Sequence, residues 1–154
     1  MSQMYAWANT VQALINFGSE HTWVTTYDPG TGSPNETLGH YWYCWGKERT
    51  HARNLVIGKG GVDFALKIAK PNKKDESVGI EYGIDGVCHQ MANRLLRFSL
   101  DENNMPVTVH QAKGYLLSKM MYGEYGGSKD EKVLAKWNTL VSNYQKSIDG
   151  DKNV

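Results

Sequence analysis

The sequence predicts an α+β domain: an antiparallel sheet packed on a central helix, followed by C-terminal helices. Three observations predict it. β-branched and aromatic residues crowd two segments joined by a turn cluster. A strongly apolar helical segment follows Asp85. The remaining elements are unevenly placed, without the strand–helix alternation of a parallel sheet. The 154 residues fit one compact domain, residues 1–154, with a polar tail from about residue 149. At that length roughly 70 % of the unfolded surface can be buried, so a core needs no staples.

Residues 4–15 place Met4, Trp7, Ala8, Val11, Leu14 and Ile15 at helical spacing. Aromatic and β-branched residues keep a strand over Tyr5–Val11 open as the alternative. His21–Tyr27 (HTWVTTY) reads as a strand, and Asp28–Asn35 (DPGTGSPN) as a turn cluster. Gly39–Trp45 (GHYWYCW) reads as the return strand of an antiparallel hairpin. Leu55–Ile57 and Val62–Ile68 fit strand or helix, and Pro71–Ser77 (PNKKDES) is a solvated loop.

Asp85 suits an N-cap, and Val87, Met91, Leu95 and Phe98 follow at helical spacing. Cys88, Ala92 and Leu96 form a neighbouring stripe, so this helix is expected to be central and buried. Pro106–Val109 suggests a short strand, and Gln111–Met121 a helix ended by the glycines at 123–127. Ser128 and Glu131 have the spacing of a capping box. Val133, Leu134, Trp137, Leu140, Val141 and Tyr144 then mark the apolar face of a last packing helix.

Charge excludes several classes of function. Seventeen Lys and Arg against sixteen Asp and Glu leave a net charge of +1, with no electrostatic case for nucleic acid or an anionic membrane. No apolar run approaches the ~20 residues of a membrane span. The segment MSQMYAWANT lacks the pattern of a Sec signal. Two cysteines are too few for a disulfide framework, and free thiols suit a reducing compartment. The expected location is therefore cytoplasmic, or outside the cell by a route that reads no Sec signal. A P-loop, a G-x-G-x-x-G fingerprint and a G-x-S-x-G elbow are all missing; GKGG at Gly58–Gly61 is a turn.

The chemistry-bearing candidate is Cys88, at about the third helical position after Asp85. Unpaired amides at a helix start carry partial positive charge and stabilise a thiolate. That help matters, because a thiol of ordinary pKa is only ~3 % ionised at pH 7. The same amides can hold an oxyanion, and Gly86 would let a substrate approach the backbone. The alternative for Cys88 is a small buried apolar residue. His21, opening a core strand, is the candidate general base; otherwise it is a hydrogen-bonded histidine at a sheet edge. His40, at the start of the return strand, could orient the His21 ring, with Asn35 and Glu36 as rivals. His89 points about 100° away from Cys88 on a helix and suits a cleft rim. His51 and His110 have no supporting pattern.

The order of these residues resembles a known group. A core-strand histidine in HTWV, a second polar strand residue, then a cysteine opening a buried helix in YGIDGVCHQMANRLL are similar to the circularly permuted papain-like proteins. That group includes permuted NlpC/P60 and lecithin:retinol acyltransferase-like proteins. The resemblance covers about residues 19–100. Val87 stands where these families often have Asn before the cysteine. It implies cysteine-dependent hydrolysis of an amide, peptide or ester, or acyl transfer through a thioester, with no cofactor. His21 would take the Cys88 proton, and the Cys88 N–H would bind the oxyanion with help from the Tyr82 hydroxyl. Members include peptidoglycan amidases and bacterial effector toxins; for a toxin, an immunity or inhibitor protein is the expected partner.

Two other readings compete. Cys88, His89, His21 and Cys44 are eligible zinc ligands, although no C-x-x-C or H-x-x-x-H pair is present. The aromatic hairpin (Trp23, Tyr27, Tyr41, Trp42, Tyr43, Trp45) could be the recognition surface of a non-enzymatic binding module, or simply sheet packing.

Overall fold

The structure is a computed structural model that describes residues 2–9, 19–30, 35–44, 52–74 and 76–152. Four strands, β1 (Gln3–Asn9), β2 (His21–Thr25), β3 (Trp42–Tyr43) and β4 (Arg53–Lys59), form one antiparallel sheet in the order β3-β2-β1-β4. Four α-helices follow: α1 (Val62–Ile68), α2 (Cys88–Leu95), α3 (Tyr115–Tyr122) and α4 (Glu131–Lys152). The α+β class and the antiparallel sheet are as the sequence predicts.

The first segment is a strand, correcting the helical reading of residues 4–15. Its described part alternates with period two: Met4, Ala6 and Ala8 are fully buried, while Tyr5 and Trp7 are half-buried. Trp7 gave both patterns an apolar residue, and pairing with β2 and β4 decided between them. The rest of that segment, from residue 10, lies outside the described residues. The hairpin of β2 and β3 forms as expected, but β3 keeps only two residues of the predicted return strand. Trp45 is outside the described residues.

Register assigns the sheet faces. Ala8 pairs with Thr22, Ala6 with Val24, and Val24 with Tyr43, so these residues share one face. Small side chains there let α2 lie close, and α2 packs against β2. Asn9 pairs with His21 and Trp7 with Trp23 on the other face, which is also covered: Trp23 is buried and Thr25 accepts from the Trp7 indole N–H at 2.9 Å.

Every residue of α2 is buried. Its polar side chains hold the surrounding loops through main-chain groups. Asn93 donates to the Tyr115 hydroxyl and the Glu124 carbonyl, and accepts from Val109 N–H. Arg94 donates to the carbonyls of Tyr125 and Val78. Buried polar groups of this kind are tolerated because most of their atoms are bonded; Arg94 Nη2, without a partner among the described residues, is the exception on this helix.

Helix starts differ from the sequence reading. Asp85 does not cap α2; its carboxylate accepts from Glu81 N–H at 2.8 Å and closes the preceding turn. Val87, in extended conformation, is the N-cap, and the Gln90 side chain accepts from its N–H. Cys88 is therefore the first helical residue rather than the third. Asp130, not Ser128, caps α4 by accepting from Lys132 and Val133 N–H. α4 packs Trp137 and Tyr144 on Phe64, and continues through residues 149–152, where a frayed tail was expected. Among the described residues, no helix is long and apolar enough to cross a membrane.

Candidate active site at the edge of β2

β3 leaves the edge of β2 after Tyr43, whose partner is Val24. Along the edge beyond Tyr43, beside Thr22 and Glu20, sits the N-terminus of α2. The Cys88 thiol makes a long 3.9 Å hydrogen bond to the Glu20 carbonyl. The amide and hydroxyl of Thr22, and the amides of His89 and Cys88, all favour its thiolate. Burial opposes them and is the larger effect, so the thiol is pushed up from its ordinary value. The expectation of a lowered Cys88 pKa is thus corrected for this closed arrangement: the thiol is 1 % exposed, and desolvation exceeds the help of the amides.

His21 opens β2, between the two residues that touch the thiol. Neighbouring strand residues are ~3.3 Å apart, so its backbone is beside Cys88. Its side chain projects from the opposite face to Thr22 and stacks on Trp23, with centroids 5.7 Å apart. Asn9 is its cross-strand partner and shares that face. Asn9 is buried, and its Oδ1 has no hydrogen-bond partner among the described residues. The sequence reading passed over Asn9, since its link to His21 exists only through strand register.

His40 is placed elsewhere, which corrects its assignment as third residue. It bridges to Asn35 and stacks on Tyr27 at 5.1 Å. Tyr27 lies beyond the far end of β2, whose five residues span ~13 Å, so His40 does not reach the His21 ring. Asn35 and Glu36 belong to the same distant turn, with Asn35 accepting from Thr37 N–H and Glu36 from the Asn72 amide.

Tyr82 is brought to Cys88. The Cys88 amide is directed at its phenolic oxygen, so donor and hydroxyl engage each other. Burial pushes the phenol up to about 12, which keeps it protonated at neutral pH. Gly86 has a packing role instead of a substrate-facing one: a Cβ there would meet Gln90 Cβ at 2.8 Å and Ile80 Cδ1 at 2.9 Å. Gly126 has φ +82, and a Cβ would meet the Asp85 carbonyl at 2.8 Å, so glycine lets the loop before α4 lie against this turn.

His89 is fully buried and not at a rim. Its Nε2 lies 2.9 Å from the Glu20 carbonyl, which can only accept, so Nε2 carries the proton. Nδ1 then accepts from the Ser118 hydroxyl at 2.8 Å. Burial lowers its pKa and keeps the ring neutral, so His89 holds the strand edge rather than taking a proton from Cys88.

Glu20, also passed over in the sequence, organises this corner. Its carbonyl receives His89 and Cys88, and its carboxylate receives Arg53 at 2.6 and 3.1 Å and Lys113 N–H at 2.9 Å. Arg53 holds the carboxyl below its ordinary value against the opposing effect of burial. A depressed carboxyl stabilises the fold above its unfolded pKa, and that stabilisation is lost as pH falls through the folded value. Glu20→Gln is expected to cost ~1–2 kcal/mol at pH 7, at the low end because Arg53 is 46 % exposed. The difference from the parent should shrink on acidification, as read from urea midpoints between pH 7 and 3.

Among the described residues, no group of three or more His, Cys, Asp or Glu is placed to hold a metal. Cys88, His89, His21 and Cys44 are all described and form no such group. The aromatic hairpin is core: Trp23, Tyr27, Trp42 and Tyr43 are buried, so they present no recognition surface. His110 is exposed and bonds Thr108; His51 is outside the described residues. Comparison with known proteins gives no match to a family model, a curated protein or a solved structure.

Proposed function

We propose that this chain is a cysteine-dependent hydrolase or acyltransferase of amide, peptide or ester bonds, with Cys88 as nucleophile and His21 as base. The observation that carries the reading is the placement of the Cys88 thiol on the β2 edge, between the residues on either side of His21. Its position as first residue of a buried helix adds amides for thiolate and oxyanion. A histidine strand meeting a later cysteine helix is also the arrangement expected of a permuted papain-like fold.

In the mechanism, the imidazole turns from Trp23 toward the strand edge and takes the thiol proton. The thiolate attacks the substrate carbonyl, forming a C–S bond. The oxyanion displaces the Tyr82 hydroxyl from the Cys88 amide and receives both as donors. Collapse expels the leaving group, protonated by His21, and water or another acceptor releases the acyl group. Asn9 replaces His40 as the positioning residue: its Oδ1, without a partner among the described residues, would accept from the turned imidazole and orient the ring.

Incubation with p-nitrophenyl acetate and rapid acid quench tests this reading. Peptide mass spectrometry should find one acetyl group on Cys88 and none on Cys44. Acetylation confined to lysines would contradict it. Asn9→Ala is expected to slow acetylation about 10-fold or more, a typical loss for a group that orients a catalytic base, and to shift its pH profile. His40→Ala should leave both unchanged.

A further inference from the structure

We propose that Cys44 and Cys88 form a disulfide when the folded protein meets a peroxide, making Cys44 the resolving thiol of an oxidative modification site on the β2 edge. This inference does not depend on the proposed activity. Cys44 follows the last paired residue of β3, and the Cys88 thiol lies on the same edge of β2. Tyr43 pairs with Val24, so a continued β3 would seat Cys44 beside Trp23 and the next residue beside Thr22. Cys44, with φ 67, leaves the extended path, and the Cys88 thiol lies beside Thr22 and Glu20. Val24, paired with the residue before Cys44, and Thr22, beside the Cys88 thiol, are two strand steps or ~7 Å apart along β2. A disulfide needs Cα atoms no more than about 6.8 Å apart, so the Cys44 turn must bring its Cα within that reach of Cys88. Both thiols are free and buried. Burial raises the Cys44 pKa most, and a charge on Cys88 raises it further, as expected of neighbours.

The chemistry balances with hydrogen peroxide as oxidant. The Cys88 thiolate, favoured by the Thr22 and helix amides, attacks one peroxide oxygen; an S–O bond forms, the O–O bond breaks and hydroxide leaves. Cys44 sulfur then attacks the sulfenic sulfur of Cys88. The S–S bond forms, the S–O bond breaks, and hydroxide leaves with the Cys44 proton as water. Two thiols lose two electrons and two protons, and one peroxide becomes two waters.

The test treats the folded full chain with hydrogen peroxide, blocks residual thiols with N-ethylmaleimide and maps peptides without reduction. The expected result is an intrachain Cys44–Cys88 peptide that dithiothreitol removes. In Cys44→Ser, Cys88 should instead be trapped by dimedone as the sulfenic acid. Cys88 driven to sulfinic acid in the parent with Cys44 still free would overturn the proposal. So would links only between chains, or thiols that survive while the urea-unfolded chain is oxidised. If Cys44→Ser fails to fold, the parent peptide map alone decides.

Discussion

Cys88→Ala is expected to lower turnover of an activated ester by about 10⁴-fold or more, because loss of a nucleophile removes the covalent route altogether. What persists should be the background reaction of exposed lysines. The substitution removes one sulfur from a site 1 % exposed, so stability should fall by only about 1 kcal/mol. That separation distinguishes a reacting thiol from a packing one. Equal losses of stability and turnover would mean that Cys88 acts through the fold. Steady-state rates with the melting temperature of each variant give both numbers.

The largest effect on stability is expected at Arg94. Its guanidinium is 2 % exposed, donates to the Tyr125 and Val78 carbonyls, and lies 4.4 Å from the Trp137 ring centroid. Burial lowers its pKa to about 10, with the Asp85 charge opposing, so it is charged at neutral pH. Arg94→Ala would leave both carbonyls without this donor, open a cavity and remove the cation from the Trp137 face. A loss of about 3–5 kcal/mol is expected from the urea midpoint. Arg94→Lys keeps the charge but lacks the planar fork, and should fall between the two. Val78 and Tyr125 flank the turn at residues 81–86 that leads into α2, so Arg94→Ala should also loosen the Cys88 corner. A loss under 1 kcal/mol would show that the buried guanidinium holds nothing in place.

Much of this fold is legible in the sequence where pattern and pairing agree. HTWVT has strand propensity and forms β2, and the apolar stripes of α2 and α4 specify helices: α2 is buried throughout, while α4 buries Trp137 and half-buries the rest of its apolar face. Val62–Ile68, left between strand and helix, forms α1. The N-terminal segment misled because Met4 and Trp7 fit a helical stripe while only strand partners 12 to 56 residues away select the strand. The cap of α2 misled because Asp85 is spent on the turn before it. The site divides in the same way. Cys88, Tyr82 and the start of β2 converge, and each carries a local signal: a helix start, a preceding turn or a strand start. Glu20 and Asn9 carry none; one acts through its carbonyl and the other through register. His40 looked suitable because it is a histidine opening a strand, but antiparallel pairing sends the start of a return strand to the far end of its partner.

The central claim is that Cys88 and His21 act as a pair. The most direct measurement is the rate of iodoacetamide alkylation of each cysteine at pH 6, by peptide mass spectrometry, in the parent and in His21→Ala. Cys44 is the internal reference, since burial pushes its thiol well above the ordinary value without the amides that serve Cys88. The account predicts that Cys88 reacts at least about 10-fold faster than Cys44, the ratio of one pKa unit, and loses that lead in His21→Ala. Equal rates at the two cysteines, or a Cys88 rate indifferent to His21, would contradict it and leave Cys88 as core packing.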